Sequence, residues 1–284
     1  MWCVPRPNVD AGETFETCIS NVRDLALRGR LAGIKTEIIA AATDYSVRAT
    51  AQELHLIAQQ EGVGGTVTTA EMVGVYDQKL AAKQGPGRSI YSALKLLPSN
   101  DRCPYCDHRD VSTLDHVLPK ALFPTLAVTP DNLVGCCKDC NKAKLASAPT
   151  SAADTVLHPY FDDVSSLTWL RGNVVENDPC AVLFRVVPQT EWSTDLNARL
   201  LLQFEILGLG RLYSQQAARE LSGIRKNLIR LFEMRPGGSR RVRRELLHQW
   251  ESRRDDSSNS WQAATYRALS LSDWFCEGGF TLGI

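Results

Sequence analysis

The chain has 284 residues, more than one hydrophobic core usually organises, so two or three packed modules are expected. Hydrophobic residues make up 44% and charged residues 23%, a balance too apolar for intrinsic disorder. Thirty-two Lys and Arg against thirty-two Asp and Glu give zero formal charge, which excludes gripping nucleic acid by bulk positive charge but allows a local basic face.

The opening MWCVPRPNVD has no charged n-region followed by an apolar h-region, so no signal peptide is expected. The most hydrophobic stretch, 200–209, is interrupted by Gln203 and Glu205 and does not reach membrane-spanning length; a cytoplasmic protein is expected. From about 13 to 97 the pattern is helical. Phe15, Cys18, Ile19, Val22, Leu25 and Ala26 form an i, i+3, i+4 stripe that predicts one helix over 15–31. A second is predicted over 34–60, stopped by Gly62, Gly64 and Gly65. Thr68 and Glu71 have the spacing of a capping box that opens a third helix through Lys83, and Gly85-Pro86-Gly87 ends it. A short helix follows around 90–97. Residues 99–162 are compact and turn-rich, with few helical cues before Asp139. After them 182–187 is β-like and is expected to pair with Val174 and Val175. Helical periodicity returns over 194–207, 212–232 and 240–250, and 255–260 reads as a solvated loop. Three regions follow: 1–98 helical, 99–162 a small module, and 163–284 a short hairpin and then helices.

Nine cysteines, an odd number without a secretion signal, argue against a disulfide framework. Four fall into two pairs, Cys103-Pro104-Tyr105-Cys106 and Cys137-Lys138-Asp139-Cys140. Two such knuckles complete a tetrahedral structural Zn²⁺ site of four thiolates. A redox Cys-x-x-Cys needs only one pair and a thioredoxin-like βαβ context, which is missing. Cys136 competes with Cys137 as third ligand, and the turn geometry favours Cys137. Cys3, Cys18, Cys180 and Cys276 read as small core residues.

Between the knuckles lies Leu114-Asp115-His116-Val117-Leu118-Pro119-Lys120, then Asp131-Asn132-Leu133-Val134; Asn141-Lys142-Ala143-Lys144 runs on from the second knuckle. On an extended segment Asp115 and His116 point to opposite faces, so one can ligate a metal while the other meets a different group. The carboxylate of Asp115 and the amide oxygen of Asn141 make a hard, sparse ligand set that suits Mg²⁺ or Mn²⁺. A neutral imidazole at His116 can deprotonate water for attack on phosphorus, with Asn132 as the candidate that orients it.

These segments, CPYC (103–106), LDHVLPK (114–120), PDNLVGCCKDCNKAK (130–144) and HPYF (158–161), resemble the HNH endonuclease family over about a fifth of the chain. The resemblance implies a ββα-metal nuclease core with structural zinc, flanked by N- and C-terminal helical regions: a mainly α chain with a small α+β module over 99–162. It implies that His116 is the general base, that Asp115 and Asn141 hold the catalytic ion, and that Asn132 holds the histidine; with Asn141 in the third position this is the HNN variant. His116 would close the first strand, Asn132 lie on the second and Asn141 sit in the first turn of the helix. The expected reaction is hydrolysis of DNA phosphodiester bonds. LPK and the stretch 123–128 resemble a subgroup found in bacterial antiphage defence systems beside an ATPase, so an ATPase protein partner is an expectation too.

Lys120, Lys142 and Lys144 are candidate phosphate contacts. So is the run from Arg219 to Arg254, with eleven Lys or Arg and four Asp or Glu, including Arg240, Arg241, Arg243 and Arg244. HPYF reads as a packed turn anchoring the module against the C-terminal helices. The competing reading is a non-catalytic zinc-knuckle adaptor that binds DNA or protein; hydrolysis at the zinc itself fails because four thiolates leave no open position for water.

Overall fold

In the computed structural model, which describes residues 3–144, 148–177, 179–234 and 236–281, the first apolar stripe is split into α1 (Ala11–Ile19) and α2 (Leu25–Gly33). The expected single helix over 15–31 is interrupted because Asp24 accepts from Leu27 N at 3.1 Å and starts a new helix. The helix expected over 34–60 is α3 (Lys35–Thr50), and it ends well before the glycines. Gln52 takes a left-handed φ of 61°. Gln52 N and Glu53 N donate back to the carbonyls of Ala49 and Arg48, a Schellman cap built on glutamine in place of glycine. The capping box of Thr68 and Glu71 forms and opens α4 (Thr69–Val75), which runs into one π-helical turn over Tyr76–Leu80.

After α5 (Arg88–Lys95), strand β1 (Thr113–His116) pairs antiparallel with β2 (Leu133–Cys136), His116 opposite Leu133 and Thr113 opposite Cys136. Helix α6 (Lys138–Ala143) follows directly, its start capped by the Cys137 thiol. Gly135 sets how the hairpin meets α5. A Cβ there would lie 3.2 Å from Lys95 O and 3.3 Å from Leu94 O, tighter than most Cβ contacts, so glycine eases the close approach of β2 to the helix end.

Contacts divide the chain into two compact units that meet in sequence at Asp163 and Val164. In a core of the N-terminal unit Phe15, Leu31, Ile38, Met72 and Leu80 pack with Leu114, Val128 and Leu133. Helices and ββα hairpin therefore share their buried face. Truncating a fully buried leucine in such a core costs about 2–5 kcal/mol.

In the C-terminal unit β3 (Leu170–Val175) pairs with β4 (Ala181–Val186), and Val174 faces Val182. Helices α7 (Thr194–Ile206), α8 (Leu209–Glu233), α9 (Gly238–Asp256), α10 (Trp261–Leu271) and the short α11 (Asp273–Cys276) complete it. α10 is an addition to the expected elements: Trp261, Ala263, Ala264, Thr265, Tyr266, Ala268, Leu269 and Ser270 are all buried, so it lacks the polar face that marks an amphipathic helix. The fold is mainly α with a small α+β module. Among the described residues no helix is long and apolar enough to cross a membrane.

Candidate active site and metal centre

The two cysteine turns bring their thiols together. The Sγ atoms of Cys103, Cys106, Cys137 and Cys140 all lie within 4.8 Å of one another, and all four residues are buried. A Zn–S distance of about 2.3 Å implies sulfurs roughly 3.8 Å apart in a tetrahedron; Cys106 and Cys137 are at 4.0 Å. Backbone amides aim at the cluster, Arg109 N to Cys106 Sγ at 3.5 Å and Cys140 N to Cys137 Sγ at 3.4 Å. Asp107, with φ of 49°, turns the chain after the first knuckle. The set fits zinc. Cys137 belongs to it and Cys136 does not: Cys136 is buried in β2, and burial raises its thiol pKa.

His116 closes β1. Its Nε2 lies 2.9 Å from Ala127 O, so the neutral ring donates there and carries its lone pair on Nδ1. The Tyr76 ring packs edge-on against the imidazole with centroids 4.4 Å apart. Burial, with Lys120 and Lys144 nearby, lowers its pKa to about 3, so the ring is neutral at physiological pH. Asn132 sits just before β2, with no exposed surface, and among the described residues its side chain makes no hydrogen bond to the imidazole. Its Oδ1 accepts from Leu118 N at 2.8 Å, and its Nδ2 donates to Leu118 O at 3.0 Å and Leu126 O at 3.2 Å. It therefore ties down the loop whose Ala127 carbonyl holds the histidine.

Asp115 Oδ2 accepts from Tyr105 Oη at 2.9 Å and pairs with Lys144 Nζ at 2.8 Å. Burial nevertheless raises its pKa, against the pull of both partners. Lys144 also donates to His116 O at 2.7 Å and Val117 O at 2.9 Å. All three of its N–H donors are thus occupied, and the expected phosphate contact is replaced by a buried structural cation. Asn141, one helical turn earlier in α6, donates from Nδ2 to Leu114 O at 3.2 Å, which leaves its Oδ1 as an acceptor.

Two of these partners carried no sequence signal: Tyr105 is a variable position of a knuckle, and Tyr76 is remote in sequence. Lys120 lies at the site, over the Tyr76 ring at 4.2 Å and paired with Asp77 at 2.5 Å, while Lys142 is exposed. In the C-terminal unit Arg240 and Arg244 are exposed. Arg241 instead donates to Met234 O and Pro236 O, and Arg243 to Ser270 O at 2.6 Å and Asp273 at 2.5 Å, so both are committed to holding helix ends. Arg235 of the same run lies outside the described residues. HPYF makes contacts inside the N-terminal unit. His158 Nε2 lies 2.9 Å from Tyr45 Oη, Tyr160 Oη donates to Leu133 O at 2.8 Å, and Arg6 stacks on Phe161.

A ββα hairpin stapled by four thiols, with histidine ending its first strand and asparagine in its helix, is the architecture of an HNH endonuclease domain. The family model described as HNH endonuclease matches residues 103–146, and the chain carries that domain there. Among curated proteins the chain is similar to Protein ea31 of Escherichia phage lambda, 28% identical over 232 residues, which cover 76% of this chain and 77% of that protein. No solved structure matches the chain.

Proposed function

We propose that the chain is a metal-dependent endonuclease that hydrolyses DNA phosphodiester bonds with His116 as general base. The observation that carries this reading is the tautomer. Nε2–H is fixed on Ala127 O, and among the described residues Nδ1 has no hydrogen-bond partner, so a lone pair is available to water. The ring is neutral before it acts, and the proton it takes is stabilised by the negative phosphate beside it. Water attacks phosphorus in line, the 3′-oxygen leaves, and the products carry a 5′-phosphate and a 3′-hydroxyl.

The donor set fits one Mg²⁺ or Mn²⁺. Asp115 has one oxygen held by Tyr105 and Lys144 and the other without a partner among the described residues, and the Asn141 amide is oriented through its nitrogen. The Lys144 ammonium marks the carboxylate as a place that accepts positive charge. A bound divalent ion would supply charge stabilisation to the phosphate and the leaving oxygen. Lys142, Arg240 and Arg244 are the exposed cations proposed to meet the DNA backbone. An effector role in antiphage defence with an ATPase partner extends the resemblance of 118–120 and 123–128.

Plasmid nicking with added Mg²⁺ tests the reading. Wild type is expected to relax the plasmid, and His116→Ala to lose at least about 10²-fold in rate while keeping its zinc and thermal midpoint. If wild type leaves the plasmid supercoiled, the adaptor reading takes its place.

A further inference from the structure

The C-terminal unit contains a groove of about 200 Å³ between β3, the end of α9 and α10. Leu170, Gly172, Leu271 and the alanines of α10 form its apolar wall, and Trp250, Arg171, Arg254, Arg267, Thr168 and Ser258 line the remainder. Among the described residues no carboxylate lines it. Arg267 and Arg254 stack on Trp250 at 4.3 and 4.9 Å from the ring centroid. Stacking engages only the face of a guanidinium and leaves its N–H donors at the edge.

Arg254 pairs with Asp255 at 3.0 Å, but among the described residues neither Arg171 nor Arg267 has a carboxylate partner. Arg171 stands directly opposite Arg185 in the hairpin register. The volume is below the roughly 300–1,000 Å³ of a site for a drug-sized ligand. It suits a tetrahedral anion with a small apolar neighbour.

We propose that this groove binds a backbone phosphate of a nucleic-acid strand, with the three guanidinium groups on the phosphate oxygens and the sugar against the apolar wall. A nuclease chain of zero net charge needs such a local site, because phosphate neutralisation supplies most non-specific affinity. The inference rests on nucleic acid as the substrate, yet it is read by binding alone. The test uses the full chain without added divalent cation and follows labelled single-stranded and duplex oligonucleotides by anisotropy over a salt series.

Arg171→Gln with Arg267→Gln is expected to weaken binding at least tenfold at low salt. The slope of log affinity against log salt should fall by about 1.4 on single strands and about 1.8 on duplex, two contacts' worth. Circular dichroism and zinc content should match wild type. A charge-matched control, Arg23→Gln with Arg28→Gln, should bind as wild type does; an equal loss there would mean bulk charge and overturn the assignment. If inorganic phosphate raises the melting temperature of wild type while the groove variant binds DNA unchanged, the groove is a free-anion site and the strand assignment falls. Unchanged affinity with no phosphate effect also overturns it, and leaves the nicking result at His116 untouched.

Discussion

Three donors of one ammonium end on the Asp115 carboxylate and on the carbonyls of His116 and Val117, so Lys144 fixes both the charge and the backbone where β1 ends. Asp115 is buried, and burial already disfavours its ionised form. Removing the cation leaves that charge uncompensated. Lys144→Met is therefore expected to cost about 3–5 kcal/mol in urea unfolding of the zinc-loaded protein, and Lys144→Met with Asp115→Asn to recover part of the loss. A single-variant cost below about 1 kcal/mol would mean that the pair does not hold this strand end. Asn132 acts on the same end from the other side: it fixes the loop that carries the Ala127 carbonyl, so it orients the histidine through one intermediate group.

Gly135 lets the hairpin lie close against the end of α5. Gly135→Ala would drive a methyl group against the carbonyls of Leu94 and Lys95, and is expected to destabilise the N-terminal unit by about 1–3 kcal/mol, seen as a lower thermal midpoint with zinc retained. The residues this element brings together are readable in the sequence: cysteine spacing, Asp115-His116 and the asparagines are local features, and Thr68 with Glu71 announces its own cap. Long-range partners were not readable. Nothing near residue 76 indicates that Tyr76 meets His116, and the glutamine at position 52 conceals the end of α3 because left-handed caps are normally glycine. α10 escaped because periodicity needs a polar face. Lys144 reads in the sequence as a phosphate contact, and its burial follows only from the way its helical turn lies against β1.

Each unit has its own buried interior, and only the N-terminal one contains the cysteine cluster. Metal binding that is coupled to folding should act on that unit alone. Calorimetry after chelation is expected to show one transition moved down and a second unmoved; two transitions shifting together would contradict independent stabilities. The shared interior of α1 to α5 and the hairpin carries a practical meaning for protein engineers. A cutting cassette cut at 99–162 and grafted elsewhere would bring Leu114, Val128 and Leu133 stripped of the Phe15, Ile38 and Met72 that cover them. A chimera made from this chain has to import the preceding helices as well, or it will aggregate through the face they once hid.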